Sequence, residues 1–272
     1  MIKEMLFSML AFARATAFLL VLTGMVATTA FAHPRLNGST KISTSSLVEP
    51  TIVARYKIHQ DWSVGAWSSQ SIQLTDVRAG DAIIVLGLYW NSTGHALTPK
   101  DDAGSLSAAV DQSPVYVQVP AVGAQIFYEL NAAAGIHTIT PPGLGGGDGD
   151  GTFYVLQVRG LAPGVSLVAV GESHKEGTAL QSATVQLSSN ALPGDFVIAV
   201  GGEDDEVGAV NAQVTNPPAG WQSIDVNNAG EVNVPSEACY RSVSSTGNQS
   251  VKWTWKGDPT ANVTTAAMAA FR

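Results

Sequence analysis

The sequence predicts an all-β fold made of two tandem β-sandwiches. After residue 46, short runs rich in valine, isoleucine, threonine and aromatic residues alternate with clusters of glycine, proline, asparagine and aspartate, which is typical of strands joined by turns. No stretch after residue 32 has the apolar period of a helix. The run AGDAIIVLGL, beginning at Ala79, returns as LPGDFVIAVGG, beginning at Leu192. The pattern predicts the fold class, and the repetition predicts two domains.

Residues 1–32 have the features of a cleaved secretory signal peptide. Lys3 and Arg14 are the only cations, and the apolar run 15–27 is shorter than the roughly 20 residues that a membrane helix needs. The segment ends in AFA, the small–x–small pattern of a signal peptidase site. We therefore expect cleavage after Ala32, a secreted or cell-surface location and no stable membrane insertion. An uncleaved membrane anchor is the alternative.

The two Gly-Asp turns, at 80–81 and 194–195, are the best-matched points of an internal duplication. Each copy also closes on a strand that ends in arginine, at Arg159 and Arg272. The offset is 114 residues at the turns (194 minus 80) and 113 at the arginines (272 minus 159). This period is too long for a solenoid repeat and fits a duplicated domain. The predicted segments are a signal peptide at 1–32, a polar leader at 33–46, a first sandwich at 47–159 and a second at 160–272.

Each copy is expected to contain about seven strands around its own apolar core. The run 83–88 is apolar on both faces, as in a strand central to its sheet. The run 249–256 alternates, with Trp253 and Trp255 on its apolar face. Both patterns fit two packed sheets, of either the immunoglobulin-like or the jelly-roll type. In the first copy the predicted strands are 51–58, 71–77, 82–89, 115–119, 125–130, 137–140 and 152–159.

The second copy resembles a β-sandwich module of secreted bacterial proteins and of phage tail or surface proteins. The resemblance lies in LPGDFVIAV, the loop NPPAGWQSI, the strand region EACYRSVSSTGNQSVKWTW and the closing AAMAAFR. The first copy lacks the Pro-x-Gly-Trp loop and has LTPKDDAGS in its place. Such modules are mostly uncharacterised. The resemblance implies a sandwich architecture and a structural or adhesive role, and it implies no catalytic residue.

Composition argues against nucleic-acid binding and excludes internal disulfides. The chain has 14 basic and 22 acidic residues, a net charge of −8 and no basic cluster, so it lacks the grouped cations that bind phosphates. Cys239 is the only cysteine and aligns with Phe127 on a strand, which favours a small core residue. Stability must therefore come from buried apolar surface.

His33 is a candidate copper ligand, because cleavage after Ala32 would place it at the mature N-terminus. Its amino group and ring nitrogen would chelate copper, and a second histidine would complete the brace of copper monooxygenases and carriers. Against this, the leader has the composition of a flexible terminus, and two of the histidines are repeat-equivalent, which favours structural positions. The possible partners are His59, His95, His137 and His174.

Two acidic runs are candidate calcium sites, because oxygen-rich loops favour that ion. Neither has a bidentate glutamate at the spacing of a known calcium loop, so solvated turns are the alternative reading. The first run lies in GGGDGDGT and the second follows the strand opened by the second Gly-Asp turn. The residues are Asp148 and Asp150 in the first run and Glu203, Asp204, Asp205 and Glu206 in the second.

Tyr89, Trp90 and Trp221 are candidate platforms for stacking on a sugar ring, since they lie near predicted strand ends. Tyr89-Trp90 aligns with Glu203-Asp204, so this site differs where the strands before it match. Function commonly resides in such variable loops. The alternative reading is that these aromatic residues belong to the core.

The predicted function is that of an exported, non-enzymatic structural or adhesive protein. No Gly-x-Ser-x-Gly, His-Glu-x-x-His or Walker motif is present. Its expected partner is an extracellular polymer, a surface component or another copy of itself, with the leader 33–46 as a strand that could add to a sheet edge. No cofactor is expected. The alternatives are a secreted copper protein and a calcium-dependent carbohydrate-binding module.

Overall fold

The structure is a computed structural model in which all regular secondary structure of the described residues is β-strand, as predicted. No helix in this part of the chain is long and apolar enough to cross a membrane. The predicted signal peptide and leader lie outside the described residues. The structure describes residues 49–60, 70–91, 98–111, 121–142, 149–162, 164–177, 181–203, 213–214, 218–227, 236–256 and 263–272.

The strands of the described residues fall into two series, β1–β8 and β9–β16. The first series is β1 (Thr51–Gln60), β2 (Ile72–Val77), β3 (Ala82–Asn91), β4 (Lys100–Asp101), β5 (Ser107–Asp111), β6 (Ala121–Glu129), β7 (Gly135–Thr140) and β8 (Gly149–Arg159). The second series is β9 (Leu167–Glu176), β10 (Ser182–Gln186), β11 (Phe196–Glu203), β12 (Gln213–Val214), β13 (Gln222–Asn227), β14 (Ser236–Ser242), β15 (Ser250–Lys256) and β16 (Val263–Phe271).

The two series form sheets with the same strand order. In the first half a five-stranded sheet has the order β1-β8-β3-β6-β5 and a three-stranded sheet has the order β2-β7-β4. In the second half the corresponding sheets are β9-β16-β11-β14-β13 and β10-β15-β12. All the strand pairs within these sheets are antiparallel.

Three apolar cores separate these sheets, where one core per copy was expected. A first and a second outer core lie between the five-stranded and three-stranded sheets of each half. A central core lies between the two five-stranded sheets. On β3, Ile83 and Val85 face the first outer core, whereas Ile84 and Leu86 face the central core. The run 83–88 is therefore apolar on both faces because its sheet is covered on both sides. The three-stranded sheet of the first half covers one face, and the five-stranded sheet of the second half covers the other.

The central core joins the halves into one body. Strand β16 lies along β6, and the Tyr128 and Phe271 rings meet edge to face with centroids 5.3 Å apart. At another margin of the interface, the Arg55 guanidinium donates a hydrogen bond to the Ile224 carbonyl oxygen (2.9 Å), and the Lys57 ammonium lies 2.9 Å from the Asp225 carboxylate. Residues 44–272 accordingly form one compact unit.

The edge strands of both large sheets carry matched β-bulges. Val53 in β1 and Val168 in β9 are extra residues at equivalent positions, and so are Ala109 in β5 and Ile224 in β13. Bulges twist an edge strand and make it a poorer template for another strand. The expectation that the leader adds to a sheet edge falls on residues outside the described chain, but β1 and β9 have the features of protected edges.

Candidate functional site

The two Gly-Asp turns are closed by the arginines that end each copy. Arg159 Nε and Nη2 donate to Asp81 Oδ1 and Oδ2 at 2.9 and 2.8 Å. Arg272 Nε and Nη2 donate to Asp195 Oδ1 and Oδ2 at 2.8 and 2.9 Å. Backbone N–H groups three residues before each aspartate add hydrogen bonds of 2.9 and 2.8 Å. We call each bidentate pair with its turn an Asp–Arg clamp.

The turn glycines allow these clamps to form. Gly80 and Gly194 have φ angles of 92° and 93°, which residues with a Cβ rarely adopt. Burial alone would raise the pKa values of Asp81 and Asp195, but hydrogen bonds from the arginines and from backbone N–H groups outweigh it and lower both pKa values. Both carboxylates are therefore ionised and buried, which is the chemistry of a structural anchor.

The clamps define one end of the fold, which we call the turn end. The opposite end, here the loop end, is where β3 finishes at Asn91, paired with Gly149, and where β11 finishes at Glu203, paired with Thr264. Tyr89 and Glu203 lie near this end, whereas Trp221 precedes β13, whose first residue pairs with Tyr240 toward the turn end. The turn ends of the halves lie together, since Phe271 precedes the Arg272 clamp and contacts Tyr128 of the first half.

Two of the predicted aromatic platforms are core residues. Tyr89 is fully buried in the first outer core, and Trp221 is 7% exposed in the second, where the Arg241 guanidinium lies 5.7 Å from its ring centroid. Neither side chain presents a free ring face, so the surface-platform reading does not fit their burial. Trp90 has its side chain outside the described residues. Trp253 and Trp255 point inward, as predicted.

Of the acidic residues predicted as calcium ligands, only Glu203 has a described side chain, and His95, a possible partner of His33, lies outside the described residues. Glu203 is fully buried, at the position equivalent to Tyr89, instead of standing in a solvated loop. Asp150 belongs to β8, but its side chain is not described. The other residues, His33, Asp148, Asp204, Asp205 and Glu206, lie outside the described chain.

Two histidines occupy the matched positions that their alignment predicted. His59 lies opposite Thr152 in the β1–β8 pair, and His174 lies opposite Thr265 in the β9–β16 pair. His59 Nδ1 lies 3.0 Å from the Gly151 carbonyl oxygen. Equivalent placement in equivalent strand pairs favours structural roles for both.

A third histidine, His137, was a possible copper partner of His33, but it belongs to a cluster with Asp101 and Glu129 that the sequence did not predict. His137 Nδ1 lies 2.7 Å from Asp101 Oδ2, and its Nε2 lies 3.0 Å from the Ala133 carbonyl oxygen. Glu129 completes the cluster, and ligand atoms of the three side chains lie within 4.8 Å of one another. The cluster joins the ends of β4 and β6 to β7, so its members are separated in sequence and form no motif.

The charges of this cluster are coupled. Burial alone would lower the pKa of His137, but its contacts with Asp101 and the Ala133 carbonyl outweigh burial and raise the pKa. Burial, followed by the charge of Asp101, raises the pKa of Glu129. His137 and Glu129 therefore both keep their protons to a higher pH than they would in water.

A second buried carboxyl group, Glu237, lies on β14 of the second half and is fully buried. Burial raises its pKa to about 7, and the Ser223 hydroxyl and Trp253 indole N–H offset part of that increase. Neither carboxylate oxygen has a hydrogen bond of full geometry. Cys239, two residues along the same strand, is fully buried, and burial raises its pKa further from the range of a reactive thiol.

Comparison with known proteins and protein families identifies no function for this chain. No protein-family model matches the chain, and neither the curated proteins nor the solved structures contain a match.

Proposed function

We propose that this protein is an exported, non-enzymatic structural or adhesive protein that binds an extracellular polymer or surface component through its loop end. The observation that carries the proposal is the contrast between the two ends. The turn end is closed twice by the same Asp–Arg clamp, whereas the aligned residues Tyr89 and Glu203 lie near the ends of β3 and β11, before connections that differ. Repeated structure is scaffold, and variable loops on a rigid scaffold commonly bind partners.

The shared central core supports a mechanical role. Two sandwiches joined only by a linker would move independently, but here the apolar faces of both five-stranded sheets are buried against each other. Both loop ends are thereby held in one orientation. A partner that contacts both halves would gain affinity, because the second contact is made within one complex.

We also propose that each half is a jelly-roll sandwich derived from an internal duplication. The supporting observation is nested pairing: β1 with β8, β2 with β7 and β3 with β6, repeated as β9 with β16, β10 with β15 and β11 with β14. A long hairpin wound into two sheets has this pairing order. The likeness of the second copy to secreted and phage-surface modules agrees with the same proposal.

The test is co-sedimentation of the purified chain with insoluble polysaccharides, cell-wall material and whole cells. The loop-end variant is Trp90→Ala, at the predicted platform residue beside the last residue of β3, and the turn-end control is Arg78→Ala, whose side chain is 64% exposed. We expect retention on one class of polymer, at least a tenfold loss in the loop-end variant and no loss in the control. Equal loss in both variants, or no retention on any material, would overturn the proposal.

Calcium and catalysis are tested in the same samples. Retention that survives a chelator argues against the calcium-dependent carbohydrate-binding alternative. Soluble products released from a retained polymer would show an enzyme and would contradict a non-enzymatic role.

A further inference from the structure

Asp101, Glu129 and His137 bring three metal-binding side chains together at the turn end of the first half, away from the proposed binding surface. In a tetrahedral metal site with bonds of about 2.0–2.2 Å, neighbouring ligand atoms are about 3.3–3.6 Å apart. The 2.7 Å separation of His137 Nδ1 and Asp101 Oδ2 is that of a hydrogen bond and is shorter than this spacing. A bound ion would replace the proton between these atoms and move them apart by about 0.6–0.9 Å.

The imidazole of His137 already has the orientation of a metal ligand. Its Nε2 lies 3.0 Å from the Ala133 carbonyl oxygen, which can accept that N–H. Metal-binding histidines typically donate their other N–H to a carbonyl or carboxylate, which fixes the ring and its tautomer. The remaining nitrogen, Nδ1, is the one directed at the Asp101 carboxylate.

The Glu129 carboxylate provides an independent observation. Its Oε2 atom is buried and makes no hydrogen bond of full geometry, while the side chain as a whole is half-buried and its carboxyl group lies beside Asp101 and Ser105. Gly104, in the connection after β4, lies so close that a Cβ at this position would overlap the carboxylate. The absence of a Cβ at Gly104 thus leaves space for a carboxylate oxygen that makes no hydrogen bond of full geometry, next to a histidine and a second carboxylate.

We propose that Asp101, Glu129 and His137 form a binding site for a divalent transition-metal ion of the Zn²⁺ or Mn²⁺ type. One imidazole nitrogen with carboxylate oxygens suits ions of intermediate softness, whereas Ca²⁺ and Mg²⁺ favour oxygen ligands alone. Three protein ligands leave at least one position for water or another donor. The site is separate from the proposed polymer-binding end and does not depend on it.

The second half provides an internal comparison. Arg241 stands at the position of Glu129, and Gln249 stands at the position of His137. The Arg241 guanidinium lies over Trp221, so a positive charge replaces a carboxylate. Among the described residues this ligand set occurs in the first half alone, and one site is expected from this cluster.

Calorimetric titration of the purified chain with Zn²⁺ alone and with Mn²⁺ alone tests the proposal. Glu129→Gln and His137→Gln should each weaken the site by at least about 100-fold. His174→Gln, a histidine of the second half, should leave it unchanged. Titration with Co²⁺ gives a second readout, because its visible absorption reports the geometry and donor set of the bound ion and should change or disappear in His137→Gln.

Circular dichroism identifies any variant that does not fold. If His137→Gln unfolds, the metal affinity of Glu129→Gln tests the proposal by itself, because glutamine has nearly the same shape as glutamate. Unchanged affinity in Glu129→Gln overturns the proposal. Loss of binding in His174→Gln instead, or no binding of either ion, overturns it as well.

Discussion

Arg159, the last residue of β8, makes two parallel hydrogen bonds with Asp81, the residue before β3. Arg272 makes the same pair of hydrogen bonds with Asp195. The partners are 78 and 77 residues apart in the chain. The Gly-Asp turn and the terminal arginine, the clearest repeated features of the sequence, are thus two sides of one contact. Because Asp81 and Asp195 are 3% and 0% exposed, removing the charge of either aspartate should cost more stability than breaking a surface ion pair.

The clamp should contribute measurably to stability. We expect Asp195→Asn to lower the free energy of unfolding by about 2–3 kcal/mol. The asparagine amide has only one acceptor oxygen, so it cannot accept both hydrogen bonds from Arg272, and its NH₂ group would be buried. Asp76→Asn is the control, because that side chain is 76% exposed and should change stability by less than about 0.5 kcal/mol. Urea denaturation measures both. Equal, small effects would show that the clamp is not an anchor.

Acid should weaken the fold through the same aspartates. Their folded pKa values lie below the ordinary 3.8, so the unfolded chain binds more protons as pH falls. Their contribution is present above that value and is lost as pH falls through the lower folded pKa. Thermal unfolding across the acid range should show a shallower acid slope in Asp81→Asn/Asp195→Asn than in the parent chain. An unchanged slope would assign acid sensitivity to other carboxylates.

Glu237 should have the opposite effect. Its folded pKa of about 7 exceeds the ordinary 4.5, so the folded chain holds the extra proton between these values. Stability should therefore fall as pH rises from 4.5 to about 7, by up to about 3 kcal/mol. Glu237→Gln should remove this dependence and be more stable than the parent chain at alkaline pH. Glu176→Gln, at a side chain 56% exposed, is the matched control and should keep the dependence.

The central core should couple the stabilities of the two halves. Phe271→Ala removes a fully buried ring that contacts Tyr128 across the interface, and it should cost about 3–5 kcal/mol. Both halves should lose stability together, because the ring lies in the core that they share. Val53→Ala, at a side chain 43% exposed, should change stability by less than about 0.5 kcal/mol. Intrinsic fluorescence and hydrogen exchange would follow the halves separately.

Sequence pattern predicted the strand class and many strands well, since side-chain alternation depends on local geometry. Strand β3 was expected at 82–89 and extends over Ala82–Asn91. Strand β5, Ser107–Asp111, was not predicted because its short, small side chains resemble a loop. The predicted strand 115–119 lies outside the described residues. The central core was missed because an apolar outer face does not reveal what covers it.

The candidate sites were harder to predict, since they depend on contacts between distant residues. Both residues of each clamp were noticed, but their pairing follows from strand order and not from spacing. The burial of Tyr89 was detectable from the sequence. Tyr89 is an even number of residues from Ile83 and Val85 along β3, so its side chain lies on the same face as theirs. The Asp101–Glu129–His137 cluster had no comparable signal, as it forms only when two sheets pack.

Native-state hydrogen exchange tests the central claim, that two matched halves form one body presenting a single binding end. Amides of β3 and β11 should exchange with the same free energy, and Phe271→Ala should lower both values equally. Independent exchange, with β3 unaffected by a substitution in the second half, would contradict a shared core and with it the proposed common binding end.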